Sequence, residues 1–501
     1  MELLTTSHSK NILGELGCYD RIILTGTLPG VCYCGGMTSY LYAQGVRIFD
    51  YPQFAAPLKE ELRRNAEQIA QDNDIQIEFV SKTHVRKEEL VKKVLDKRGN
   101  HPGLVHIISA METCASYQPW HDKKTGKTYL KGTQSKCLHY YFYFIDPYLG
   151  YGYVRVPTWC PFKLQVYING HHILANELDR QGVKHSMIDN AFDYIEDFQK
   201  AQQICDGMDI KKIHKHLDEL AKLYCPVHSS FDQVYHWSIM QAEYATDLVF
   251  KQQAYLQSLY SELTSTAIHT VKPDNIATFL GHKVDPRYQG QMGNNYNIRI
   301  QGSRIKHTMG KSSIKMYDKF SKILRIETTT NDVSFFKHFR EVEHRNGTKS
   351  RQYTKLKKNI YSLAPLTLLL KASNKRYLEF ISAFDSKEAG QKRLDKVTKS
   401  RRKDNRSYKG FNLFSQQDLA LLLTILRAEH NISGFRNKDV RNRLPEFNTA
   451  KVSRLIKRLK VFGLIKKAVK TYKYYLTKLG KQLVVTAQML KETVVIPALN
   501  Y

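Results

Sequence analysis

The stretch Ser313-Ile-Lys-Met-Tyr-Asp-Lys-Phe-Ser-Lys-Ile-Leu-Arg-Ile-Glu-Thr328 sets apolar residues at alternate positions on both sides of a short polar break, the spacing of two strands around a tight turn. With Lys319-Phe320-Ser321 as a three-residue loop, Ile314, Met316, Leu324 and Ile326 fall on one face and Lys315, Tyr317, Arg325 and Glu327 on the other. A two-residue loop divides them less cleanly. The polar face then gathers two cations, a phenol and a carboxylate. Lys315 and Arg325 can hold a phosphate, Glu327 can bind a metal, and Tyr317 is a candidate nucleophile. A solvated, salt-bridged face would use the same residues, and a phenol attacks poorly unless metal and cations activate the phosphate.

Upstream, Trp237-Ser-Ile-Met-Gln-Ala-Glu-Tyr-Ala-Thr-Asp-Leu-Val-Phe250 places Glu243 and Asp247 four residues apart. Read as a helix, it stacks both carboxylates beside Met240 and Tyr244, where their repulsion calls for a counter-ion, either Arg/Lys or Mg²⁺. The metal candidates are therefore Glu243, Asp247 and Glu327.

Further upstream, Leu138-His-Tyr-Tyr-Phe-Tyr-Phe-Ile-Asp146 and Tyr151-Gly-Tyr-Val-Arg-Val156 flank a Pro147–Gly150 turn and predict a β-hairpin. Alternation puts Tyr140, Phe142 and Phe144 on one face and His139, Tyr141 and Tyr143 on the other. The second set, joined by Tyr153 and Arg155, would form a platform on which unpaired bases stack, unless the sheet is buried on both faces. His171 and His172 follow on a strand-to-helix run and are adjacent.

Residues 1–136 alternate strand and helical runs, among them Arg21–Leu28, Leu58–Gln71, Ile75–Val80, Lys87–Lys97 and Leu104–Ala110, an α/β pattern. Asp20, Asp50 and Glu112 lie at strand ends, where metal nucleases place ligands and where exposed carboxylates are also routine. Thr25-Gly-Thr-Leu-Pro-Gly30 matches neither the Walker nor the dinucleotide spacing and reads as a turn, so no nucleotide or organic cofactor is expected.

Composition fixes the partner class. The 501 residues carry 77 Lys and Arg against 47 Asp and Glu, a net charge of +30, which suits polyanions above all: DNA, structured RNA, or both. The longest apolar runs fall far short of the roughly 20 residues that span a bilayer, so a membrane is not expected. The 8 cysteines lack C-x-x-C spacing and read as reduced thiols, consistent with a bacterial cytoplasmic protein. The predicted class is α+β and multidomain: an N-terminal α/β domain at 1–136, a central α+β body at 137–398, a basic linker at 399–410, and a nucleic-acid-binding domain at 411–501. Oligomeric state is not written in the sequence.

In the last segment, helical runs at Gln416–Glu429 and Asn437–Leu444 precede a third from Asn448 to about Phe462. The third sets Val452, Leu455, Ile456 and Leu459 on one side and Lys451, Arg454, Lys457, Arg458 and Lys460 largely on the other. Two short strands follow around Val469-Lys470-Thr471. This order resembles a winged-helix domain. The resemblance implies that Arg454, Lys457 and Arg458, with Lys451 beside them, face bases or phosphates, and that Lys470 and Lys473 on the wing touch the flank.

The Y-D-K and R-I-E elements within Ile314–Thr328 resemble the paired strands of trans-acting rolling-circle replication initiators of plasmids and conjugative elements. The chain as a whole resembles uncharacterised bacterial proteins associated with mobile genetic elements. The initiator resemblance implies Mg²⁺-dependent strand cleavage, a nickase, endonuclease or strand-transfer activity through a tyrosine, with Tyr317 as the candidate. The chain departs from that pattern in having no His-hydrophobic-His metal motif. A non-catalytic RNA-binding (ribonucleoprotein) or DNA-binding regulatory component is the alternative.

Overall fold

Runs rich in Ile, Val, Tyr and Thr build one large sheet, because side chains of this shape pack best on a pleated surface. In the computed structural model its strands are β1 (Ile12–Thr27), β2 (Ile77–Phe79), β3 (Gly103–Asp122), β4 (Lys127–Asp146), β5 (Gly150–Pro157) and β6 (Leu164–Ile168). A small separate hairpin, β7 (His185–Met187) and β8 (Phe192–Ile195), intervenes before β9 (His236–Phe250), β10 (Met292–Arg299), β11 (Gly302–Met309), β12 (Ser312–Lys319) and β13 (Ile323–Thr330). The structure describes residues 4–81, 85–283, 288–299, 302–385, 394–427, 430, 434–468, 471–491 and 495–496.

The order across the 11 strands is β10-β11-β12-β13-β9-β1-β6-β5-β4-β3-β2. Among the described residues only the β2–β3 pairing of this sheet is parallel, so the alternation of the first segment yields a mixed sheet that is mostly antiparallel. One face is covered by two apolar clusters. Ile22, Leu24, Phe142, Val154, Val166 and Ile168 pack in the first, and Leu248, Ile314, Met316, Leu324 and Ile326 in the second. The other face carries the polar residues that matter below, partly roofed by helices Lys87–Arg98 and Gly170–Arg180.

The chain divides into two compact units, residues 1–385 and 386–501. The boundary expected at 136/137 falls inside β4, whose 20 residues pair continuously with β3, so no division occurs there. The expected linker at 399–410 belongs to the second unit. It holds a short hairpin, Arg401–Lys403 with Arg406–Tyr408, and Phe411 beside it is buried, its N–H donating to the Val397 carbonyl at 2.8 Å.

The second unit contains helices Gln416–Leu426, Asn437–Arg443 and Thr449–Val461, then paired strands Ile465–Lys467 and Tyr474–Leu476, then helix Lys478–Leu490. Leu421, Ile425, Val452, Ile456 and Leu459 share its core, as the helical spacing requires. Among the described residues no helix is long and apolar enough to cross a membrane.

Candidate metal centre

The hairpin read from Ser313–Thr328 forms, with one shift. Lys315 stands opposite Glu327, Met316 opposite Ile326 and Tyr317 opposite Arg325, so the loop is Phe320-Ser321-Lys322, one residue later than expected. Phe320 and Ser321 adopt φ of 58° and 56°, both in the left-handed region that tight turns use. Moving the loop by one residue changes every pairing by two, which preserves parity, so the faces stand as expected.

Trp237–Phe250 is strand β9, not a helix. A spacing of four suits both periods, and β9 is buried on both faces in its second half, so alternation is hidden. Glu243 and Asp247 still share a face but are separated along the strand. Asp247 is no metal ligand in this arrangement. It accepts two hydrogen bonds from Arg325, at 2.6 and 2.7 Å, and both side chains are buried. Burial pushes the Asp247 carboxyl up, but the Arg325 charge and His171 hold it well below the usual carboxylate range.

Arg325 is therefore not a phosphate clamp. With no exposure, its guanidinium also donates to the Asn190 carbonyl at 3.1 Å and stands 3.2 Å from Asp20 Oδ1. It acts as a buried strut that locates Asp20.

Asp20 reaches the site through a bulge. Tyr19 pairs with Tyr244 and Arg21 with Glu243, leaving Asp20 without an opposite residue. A bulge inverts strand parity, so Asp20 and Arg21 share the face of Glu243. There Asp20, Glu243 and Glu327, from β1, β9 and β13, bring one carboxylate oxygen each within 4.8 Å of one another, an arrangement that could hold a metal ion. The sequence offered Glu243 and Glu327 directly and Asp20 only in reserve.

The three carboxylates line a pocket of about 250 Å³ with Arg304, Lys315, Tyr317 and Lys319. Lys315 Nζ donates to Glu327 at 2.6 Å and lies 3.7 Å from Glu243. Tyr317 Oη donates to Glu327 at 2.7 Å. Burial and the neighbouring Glu327 charge push Glu243 up to about 7, whereas burial of Glu327 is outweighed by Lys315 and the Glu243 hydrogen bond, which hold it down to about 2. The two carboxylates are thus pushed in opposite directions, with the Lys315 ammonium against both. Burial, then Glu327, pushes the Tyr317 phenol well above its ordinary value, which opposes a nucleophilic role.

The aromatic hairpin forms in the expected frame, Tyr141 opposite Arg155 and Tyr143 opposite Tyr153, but not as an open platform. His139, Tyr141 and Tyr143 are buried, the two tyrosines packing with Val91 of helix Lys87–Arg98. Arg155 is committed to Glu112, donating at 2.8 Å beside Tyr141 and Lys87, at 2.8 and 2.6 Å. That network also removes Glu112 from the metal candidates.

In the second unit Arg454 and Lys457 are exposed on helix Thr449–Val461, and Lys451 lies half-buried over the Phe447 ring at 3.9 Å. Arg458 is not available as expected. It donates to Asp418 at 2.9 Å and to the Gly410 carbonyl at 2.6 Å, and stacks on Phe411. Lys473 is half-buried at the hairpin, and Lys470 lies outside the described residues. Lys403, Arg436, Lys438, Lys457, Lys460 and Lys467 line a groove of about 630 Å³ in this unit.

Comparison of the chain with protein-family models, curated proteins and solved structures found no match.

Proposed function

We propose that the protein is a Mg²⁺-dependent nuclease of the nicking or strand-transfer kind, with Asp20, Glu243 and Glu327 as the metal ligands. One observation carries the reading: three carboxylates from three strands converge in a pocket that Arg304, Lys315 and Lys319 also line. Hard oxygen donors suit Mg²⁺, and cations beside them suit the phosphate that shares it. A divalent ion there supplies Lewis-acid stabilisation of a phosphodiester and a water of lowered pKa. Arg304 contacts the phosphate, Lys315 neutralises Glu327, Arg325 fixes Asp20, and Tyr317 orients Glu327 by its hydrogen bond rather than attacking. Water is then the nucleophile.

The second unit, with three helices and a hairpin, is a winged helix in this reading, and its lysine-lined groove grips the nucleic-acid backbone. The resemblance to replication initiators and mobile-element proteins supports the same substrate class.

A non-catalytic binder has one observation in its favour: net charge and groove account for binding without chemistry. Cleavage of supercoiled, single-stranded and RNA substrates separates the two. Glu327→Gln and Glu243→Gln should abolish cleavage and preserve affinity, as should chelation, while Tyr317→Phe should retain cleavage with no covalent adduct. Absence of cleavage with every divalent metal would leave the binder. An adduct lost in Tyr317→Phe would return the nucleophile to the tyrosine.

A further inference from the structure

Between helices Lys87–Arg98 and Gly170–Arg180, on the sheet face that carries the carboxylates, lies a cavity of about 570 Å³. Its floor is a ladder of tyrosines in direct register, Tyr143 on β4, Tyr153 on β5 and Tyr167 on β6. Ring centroids are 5.3 Å apart for the first pair and 5.4 Å for the second, which is stacked. Arg21, next to Asp20 on β1, holds its guanidinium 5.4 Å above the Tyr167 ring. Asp189 lines both this cavity and the carboxylate pocket, and Asn190 on the cavity wall donates to Asp20. The two spaces therefore adjoin.

The wall chemistry selects the occupant. Glu88, Asp96 and Asp189 offset Arg21 and Lys92, so the cavity holds no cationic cluster for a phosphate, and a neutral planar group meets tyrosine ring edges and hydroxyls on its floor, since Tyr153 and Arg21 cover the Tyr167 faces. The volume lies within the roughly 300–1,000 Å³ of small-molecule sites. His172 on the wall keeps Nδ1 without a hydrogen-bond partner among the described residues.

We infer that this cavity receives one unpaired nucleobase of a nucleic-acid strand, which seats the adjoining phosphate over Asp20, Glu243 and Glu327. The inference rests on the nucleic-acid reading of the site but not on its cleaving anything. The selectivity it confers is for strands with an extrudable base over continuous duplex.

The test uses the full chain in chelator with a short single strand carrying one 2-aminopurine, as DNA and as RNA. Binding should quench the fluorophore, and Tyr167→Ala, which removes part of the cavity floor, should weaken affinity several-fold. Tyr167→Phe should restore it. Ala175→Trp, which fills the cavity from the opposite helix and spares the sheet, should weaken binding as Tyr167→Ala does and decides the matter if that variant unfolds. Undiminished binding in Ala175→Trp overturns the inference, as does equal competition by free adenosine monophosphate, which would make the ligand a nucleotide instead of a strand. The RNA and DNA arms show which backbone is accepted. Quenching without cleavage at any metal would sink the nuclease alone, and cleavage with unquenched fluorophore would sink the base pocket alone.

Discussion

Arg325 shows how one buried charge orders a site. Its guanidinium bridges Asp247 and Asp20, so the pair is a scaffold that positions the third carboxylate. Asp247→Ala leaves that cation buried without its main partner, and the chain should lose about 3–5 kcal/mol in denaturant unfolding. Metal affinity should fall in the same variant, because Asp20 loses the group that locates it; a titration with Mn²⁺ would read this. Charge type and alternation made Lys315, Tyr317, Arg325 and Glu327 legible as one face. Burial was not legible, because nothing local distinguishes an arginine that meets solvent from one that meets Asp247, distant in sequence but adjacent across β9 and β13.

The elements repeat that lesson with the period as the variable. Strand β9 escaped detection since a strand covered on both sides shows no alternation, and the Asp20 bulge escaped because one extra residue leaves no mark on composition. The aromatic hairpin was legible because its turn and alternation are local, while the helix that covers it is distant in sequence. That helix is tied down by Glu112, whose carboxyl burial pushes up but Lys87, Tyr141 and Arg155 hold down to about 2. A depressed carboxylate stabilises the fold above its unfolded value and ceases to do so as pH falls through the folded one. Glu112→Gln should therefore cost about 1–3 kcal/mol at pH 7, and the gap to the parent should close between about pH 4.5 and pH 2. Unfolding midpoints across that window check it; a gap independent of pH would contradict the assignment.

At the scale of the whole molecule, charge is divided unequally. Residues 391–501 hold 26 Lys and Arg against 7 Asp and Glu, so they carry +19 of the +30. Neutralised phosphates make log affinity fall linearly with log salt, so the double variant Arg454→Ala, Lys457→Ala should flatten that slope by about 2. An unchanged slope would remove helix Thr449–Val461 from the interface. The basic tail was the most legible feature of the chain, since helix spacing and charge are both local properties.

The strand order has a consequence for how the chain is made. Strand β1 is synthesised well before both its neighbours, β6 and β9, which lie far downstream. At about 5–20 residues per second, β6 follows it by roughly 7–30 s and β9 by roughly 10–40 s, so both hydrogen-bonding edges of a long strand stay open until β6 emerges and one of them until β9 does. The last carboxylate, Glu327, emerges later still. A nascent chain of this topology thus exposes strand edges during synthesis, and its acidic cluster cannot assemble before nearly the whole first unit has been translated.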